Sequence, residues 1–232
     1  SFGGFYWRII RINEDGTLRL IYQGTAANTT GTNTQISTSA FNSTYTNNMY
    51  VGYMYQSNQV HGLTSSSTIK GILDQWYQNN LTSVADKIDG NAGFCGDRMP
   101  YIRNGSIGSY TYTSGGGGTG TIQTYYGVYI RLVNSSKNPT FECENESDLY
   151  TTSGSSQGNG ALTYPIGLVT ADEVWYAGGY TSTNQSYYLY TRQHYWTMSP
   201  CWFDYGDAYV FRVSSNGYLI YNSVDGTLGV RL

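Results

Sequence analysis

Charge is scarce in this chain. Asp, Glu, Lys and Arg make up 12% of its 232 residues, against roughly a quarter in ordinary globular proteins. Lys and Arg together number only 12, and the formal net charge is −3. No basic stripe is therefore present to neutralise a phosphate backbone, and nucleic acid is not an expected partner. No apolar run is long enough to cross a bilayer, and the N-terminus lacks a signal-peptide pattern. Membrane contact by this stretch is not expected. Ser1 follows no initiator Met, so the expectation is a longer chain with an anchor or targeting segment upstream. Histidine occurs twice, at His61 and His194, and cysteine three times, at Cys95, Cys143 and Cys201; no CxxC occurs, and no His pair lies near a Cys. Metal-ligand spacing is missing, so no metal is expected. A phosphate loop, a Gly-x-Ser-x-Gly elbow and a zinc-binding His motif are all absent. Neither a cofactor nor catalysis is expected.

What remains is neutral, polar and aromatic. Hydrophobic residues reach 39%, enough for a sizeable core. The surface must be made mostly of Ser, Thr, Asn, Gln, Gly and Tyr. Tyr occurs 25 times. It suits β-strands, and it suits binding loops, because a flat apolar ring with a hydroxyl loses little conformational entropy on contact.

The patterning is α+β. Phe5 to Ile12 is apolar and β-branched, Asn13-Glu14-Asp15-Gly16 supplies a turn, and Thr17 to Tyr22 returns; Asp-Gly between such runs predicts a hairpin. Residues 24–60 read as long loops with one strand at 49–55. Ser67 is a candidate N-cap for a helix over 67–80, where Ile69, Leu73, Trp76 and Tyr77 share one face. A further turn or two is expected over 82–88, and the Gly run at 114–120 is a loop. Thr170-Ala171-Asp172-Glu173 fits a capping box, and Gly178-Gly179 stops that second helix. Strands are expected at 187–190, 195–198, 208–213, 218–221 and 229–232, with a turn at Ser215-Asn216-Gly217. No repeat or linker divides the chain, which reads as a single domain over 1–232. Glu142, Glu144, Glu146 and Asp148 read as a solvated acidic loop rather than a catalytic carboxylate pair. His194 has no nucleophile and orienting acid that the sequence ties to it.

Several stretches carry a resemblance. They are Tyr6-Trp7-Arg8-Ile9-Ile10-Arg11-Ile12, Phe94-Cys95-Gly96-Asp97-Arg98, the run from Gly167 to Val174, Tyr195-Trp196-Thr197-Met198-Ser199-Pro200, and the closing Gly229-Val230-Arg231-Leu232. Together they resemble surface proteins of gut bacteria and their phages with a C-type-lectin-like (formylglycine-generating-enzyme-like) fold. The last third is similar to the variable proteins of diversity-generating retroelements. The resemblance implies short helices packed on twisted antiparallel sheets with long loops. It also implies an extracellular or cell-surface location, and a C-terminal variable region at about 192–228 rewritten to change binding specificity. The ligand would be an unknown protein or glycan on another cell or surface. A fixed-specificity surface adhesin or carbohydrate-binding module is the alternative. The Glu-Pro-Asn, Gln-Pro-Asp and Trp-Asn-Asp triplets of calcium-dependent lectins do not occur, and Asp204 with Asp207 does not complete an oxygen cage. Only Cys201 lies where the formylglycine-generating enzymes keep reactive cysteines.

In that family, errors at adenines turn Asn codons into codons that cannot specify Trp, Met, Lys, Glu or Gln. Residues 203–232 contain none of these, although the rest of the chain uses all of them. Within the stretch, Phe203, Ala208, Val210, Phe211, Val213, Gly217, Leu219, Val224 and Gly229 form a plausible structural skeleton. Between them stand Asp204, Tyr205, Asp207, Tyr209, Arg212, Tyr218, Ile220, Tyr221, Ser223 and Asp225, expected to converge on one exposed face. Cys201 and Trp202 flank it and are expected to join it, Trp202 as a fixed residue. Trp196, Phe203, Val210, Phe211, Val213 and Leu219 are expected to be buried. A surface location also favours a Cys95–Cys143 disulfide, leaving Cys201 free.

Overall fold

The computed structural model describes residues 1–134, 137–155 and 158–232. It is a mixed α+β structure, mostly sheet with a few short helices. The chain opens with the expected hairpin, strands β1 (Tyr6–Ile12) and β2 (Leu18–Gly24). Gly16 takes φ +85° in its turn, and Asp15 Oδ1 accepts from the Thr17 amide at 2.9 Å. Strand β3 (Ser37–Ser39) follows. The strand expected at 49–55 shrinks to β4 (Met54–Tyr55), paired with β5 (Ser65–Ser66). Ahead of β4, Asn47 takes up the Met49 amide and starts a 3-10 turn at Asn48–Val51, a local side-chain bond that outcompetes extended pairing.

Helix α1 (Thr68–Asn80) begins where Ser67 Oγ caps the Lys70 amide, and buries Ile69, Leu73 and Tyr77. Its Trp76 packs on Phe5 and Tyr22, with ring centroids 5.1 and 5.7 Å away. A 3-10 segment, Thr82–Lys87, extends it. Strands β6 (Phe94–Cys95), β7 (Pro100–Arg103), β8 (Tyr110–Tyr112) and β9 (Thr124–Tyr126) come next. They lead into the helical turn α2 (Gly127–Tyr129). Short strands β10 (Leu149–Tyr150), β11 (Gly154–Ser155) and β12 (Gly158–Asn159) precede α3 (Ala171–Tyr176). The capping box of α3 is complete: Thr170 Oγ1 accepts from the Glu173 amide at 3.1 Å, and Glu173 Oε2 accepts from the Thr170 amide at 2.8 Å. Gly178 at φ +104° lies just beyond its C-cap. Residues 187–190 form a turn rather than a strand, closed by Tyr190 N–H on the Tyr187 carbonyl at 3.0 Å.

The last strands are β13 (Tyr195–Asp204), β14 (Asp207–Val213), β15 (Leu219–Ser223) and β16 (Leu228–Val230). They organise an eight-stranded sheet in the order β15-β14-β13-β9-β7-β8, with β16 parallel to β13 and β3 antiparallel to β16. β13 is central and almost wholly buried, which is why its sequence reads as a near-continuous run instead of alternating. One apolar cluster takes Trp196, Met198, Phe203, Ala208, Val210 and Val224. Another takes Tyr195, Cys201, Phe211, Val213 and Leu219. All six residues expected in the core are buried.

Two buried ionic posts tie loops to this core. Arg98 Nε donates to Asp148 Oδ1 at 2.8 Å, the Arg98 amide to Oδ2 at 2.6 Å, and Arg98 Nη1 to the Met54 carbonyl at 2.8 Å. Asp148 has no exposed surface, which corrects its reading as part of a solvated loop. Burial alone would raise its pKa, but Arg98 and the His61 hydrogen bond hold it below the usual carboxylate range. Arg131 binds Asp97 at 2.6 Å, Asp172 at 2.8 Å and Glu144 at 3.4 Å. Burial nonetheless pushes Asp97 up to about 6, against the pull of Arg131, and its Oδ1 has no hydrogen-bond partner. The Cys95–Cys143 disulfide closes the same region, and Cys201 is a free thiol. At the C-terminus, Arg231 is fully buried. It donates to the Tyr22 carbonyl at 2.9 Å, the Leu189 carbonyl at 2.8 Å and Gln23 Oε1 at 2.6 Å.

Candidate ligand-binding face

The hairpin β13–β14 turns on two residues, Tyr205 and Gly206, between the paired Asp204 and Asp207. Both turn residues have positive φ, +52° and +88°, the backbone of a primed turn that matches strand twist. Gly206 adopts it freely. For Tyr205 the left-handed region costs about 1–2 kcal/mol, because Cβ crowds the following carbonyl. Tyr205 is 96% exposed, so no packing repays that cost. A bulky aromatic held at a strained, solvent-facing tip is a candidate contact residue.

Below the tip, pairing register aligns aromatic rings across the sheet. Trp202 of β13 stands opposite Tyr209 of β14, which stands opposite Ser223 of β15. Trp202 contacts Tyr209 at 5.8 Å between centroids and Tyr221 at 4.0 Å; Tyr209 and Tyr221 meet edge to face at 5.6 Å. On its other side Trp202 meets Tyr129 at 5.1 Å and Tyr125 at 6.1 Å. Tyr125 continues to Tyr110 on β8, 4.6 Å away. The row thus runs from β15 to β8. Edge and tilted contacts of this kind are each worth about 0.5–1.5 kcal/mol beyond burial, so the row is stiff as well as apolar.

Polar groups rim it. Asp204 accepts from Gln123 Nε2 at 2.7 Å and from the Tyr125 hydroxyl at 3.3 Å. Asp207 accepts from the Tyr209 hydroxyl at 3.2 Å, and Asp225 from Ser223 Oγ at 2.6 Å. Arg103 donates to the Tyr125 hydroxyl and lies over its ring, 5.4 Å from the centroid. Burial and then Asp204 raise the Tyr125 phenol to about 12 despite Arg103, and burial and Asp207 raise Tyr209. Both hydroxyls stay protonated and donate at neutral pH. Among the described residues, no group of three or more His, Cys, Asp or Glu side chains is arranged to hold a metal ion.

Trp202, Asp204, Asp207, Tyr209, Tyr221 and Ser223 therefore share one face, with Tyr205 at its tip and Asp225 bonded to its edge. Four expected members stand elsewhere. Strand alternation turns Arg212 and its partner Ile220 to the opposite side of the sheet. There Arg212 Nη1 and the Ser215 amide both donate to His194 Nδ1, at 2.6 and 3.0 Å. His194 is held below its usual pKa by burial and by the Arg212 charge. Tyr218 sits at the far turn, where its carbonyl accepts from the Ser214 amide at 2.8 Å. Cys201 is fully buried at an irregularity in the β13–β14 pairing between Pro200 and Trp202. It lies beneath the face, in the apolar cluster on which Trp202 and Tyr209 lean, so it is not a contact residue.

Tyr110, Tyr125, Tyr129, Gln123 and Arg103 complete the face and escaped the sequence reading. Their only signal was local, the Tyr-rich segments on either side of the Gly run. Compared with family models, curated proteins and solved structures, the chain finds no match.

Proposed function

We propose that the protein is a surface-displayed ligand-binding protein of C-type-lectin-like fold whose C-terminal stretch, within about 192–228, is diversified by a retroelement to change binding specificity. One observation carries this reading. The positions that escape the buried skeleton between 202 and 223 mostly project to one aromatic face, while the skeleton between them is buried. Random replacement is tolerable where a side chain faces solvent and destructive in a packed core. Short helices packed on antiparallel sheet agree with the fold. Rigid Tyr and Trp rings edged by Asp, Ser, Gln and Arg suit recognition of a protein or glycan.

The test is genomic. Beside the gene there should be a near-copy of the DNA coding the last third, differing only at adenines, together with a reverse transcriptase gene. Differences confined to the codons of Asp204, Tyr205, Asp207, Tyr209, Tyr221, Ser223 and other exposed positions support the reading. Absence of such a copy defeats diversification and leaves a surface adhesin or carbohydrate-binding module of fixed specificity. The rings outside the last third, Tyr110, Tyr125 and Tyr129, would serve that alternative equally.

A further inference from the structure

A second concavity shares no residue with the aromatic face. It lies between the β1–β2 hairpin and the segments 88–94 and 165–169, and its volume is about 600 Å³. That is within the range of small-molecule sites. Trp7, Leu20, Ile88, Phe94, Ile166 and Leu168 make its walls largely apolar. It adjoins a polar recess of about 140 Å³ beside the disulfide, and the two share Arg11, Arg19, Ala92 and Gly93 as lining. An apolar chamber thus gives onto a polar one past a pair of guanidinium groups.

The two arginines are not equally committed. Arg19 is fixed: Nε donates to Glu173 Oε1 at 3.2 Å, Nη2 to the Leu168 carbonyl at 3.0 Å, and its guanidinium lies 4.1 Å from the Phe94 ring centroid. Arg11 Nε donates to Asn13 Oδ1 at 3.0 Å, but its Nη1 is 3.8 Å from Glu173 Oε1, too far for a hydrogen bond. Glu173 is already engaged by Arg19 and by the Thr170 amide. Two cations meet one carboxylate at this junction, and among the described residues the terminal nitrogens of Arg11 have no hydrogen-bond acceptor, its guanidinium lying 5.1 Å from the Phe141 ring centroid. Burial lowers the pKa of Arg11, Glu173 opposes that, and Arg19 adds to it; an anion beside Arg11 would relieve it. Lys87, also in the wall, is paired with Asp86 at 2.7 Å.

We propose that this cavity binds a small amphipathic carboxylic acid, its apolar body between Trp7, Leu20, Ile88 and Phe94 and its carboxylate on the terminal nitrogens of Arg11. A carboxylate matches the planar guanidinium fork, and a charge-assisted bond in a partly dry site is stronger than one at the open surface. A neutral amphiphile would fill the chamber without the charge-assisted bond to Arg11.

The test uses dodecanoate as the probe and dodecanol as its neutral counterpart, titrated into the intact chain by calorimetry. Dodecanoate should saturate at one per chain, and dodecanol should bind at least about tenfold more weakly, the ratio that one lost ionic contact of ordinary strength produces. Arg11→Gln should weaken dodecanoate by a similar factor. Ala92→Trp, at an exposed position on the junction, should block entry while leaving the fold intact, which covers the case where Arg11→Gln fails to fold. Tyr221→Ala on the aromatic face should leave dodecanoate binding unchanged. Absence of saturable binding overturns the proposal. So does equal affinity for dodecanol, indifference to Ala92→Trp, or loss of binding in Tyr221→Ala. None of these outcomes bears on the retroelement reading, which stands on other residues.

Discussion

Trp202 and Tyr221 come from strands that are not neighbours, yet their ring centroids lie 4.0 Å apart across β14. The indole spans the strand between them, so on the diversification reading proposed above the centre of the face joins a fixed residue to a variable one. The Trp202 ring supplies a floor, and Tyr221, 40% exposed, supplies surface. Tyr221→Ala gives up its ring contacts with Trp202 and Tyr209 and should cost about 1–3 kcal/mol. Phe211→Ala, one strand over and buried, should cost about 3–5 kcal/mol through lost burial and a cavity. Paired urea melts of the two variants decide it; equal losses would mean that the division into skeleton and surface is wrong.

Tyr205 offers the reverse experiment. Tyr205→Asn places Asn-Gly in the primed turn, the pair best suited to two positive φ values. Relief of the left-handed tyrosine should stabilise the hairpin by up to about 1 kcal/mol, read as a raised melting temperature. If the tip is a contact residue, the same variant loses affinity for the selected ligand while becoming more stable.

Asp148→Asn should be among the most damaging single changes outside the apolar core. It leaves Arg98 buried with a neutral partner, and breaking a buried pair typically costs about 3–5 kcal/mol. Chemical denaturation of the purified variant measures this. A loss under about 1 kcal/mol would show that Arg98 finds water or another acceptor.

Asp97 predicts a pH dependence of unusual sign for an aspartate. Its folded-state pKa, about 6, stands above the value near 3.9 expected in an unfolded chain. Between about pH 4 and 6 the folded state holds more protons, so the contribution of Asp97 to stability falls as pH rises through that window. Asp97→Asn removes this slope. The stability difference, Asp97→Asn minus wild type, should therefore grow in favour of the variant from pH 4 to pH 7. A difference flat with pH would mean that Arg131 keeps Asp97 ionised throughout.

Reduction of Cys95–Cys143 should destabilise the protein by about 4 kcal/mol in the chain-entropy view of a loop of this length. Alkylation of the native protein without reductant should label no cysteine, because Cys201 is fully buried and burial raises its thiol pKa well above the usual value. Alkylation after unfolding and reduction should label all three.

Local chemistry was the legible part of this fold. The Asp15-Gly16 turn, the Ser67 cap and the Thr170–Glu173 capping box are contacts within four residues, and each formed as its sequence implies. The buried skeleton of the last third was legible because Phe, Val and Leu have few places to go but inward. What failed was what depends on neighbours. Sequence alone groups Arg212 and Ile220 with Tyr209 and Tyr221 on one face, but strand parity sorts the two pairs to opposite faces. Asp148 looks like its acidic neighbours until Arg98, fifty residues away, takes it inside. The Tyr110–Tyr125–Tyr129 half of the face was invisible because only the strand order places β9 beside β13.

The stretch that carries the face is pinned at both ends, by the buried Cys201 at its start and by Arg231 locked onto Tyr22, Gln23 and Leu189 at its finish. Between these anchors the strand positions have fixed addresses on a sheet, separated by turns at 205–206, 214–218 and 224–227. Substitution changes the chemistry at an address and leaves the grid itself unchanged in length and shape. An antibody alters the contour of its binding surface by lengthening loops. On the binding reading proposed above, such a surface would behave instead like a keyboard of constant layout, open to partners whose own relief is shallow enough to be read by changing the keys alone.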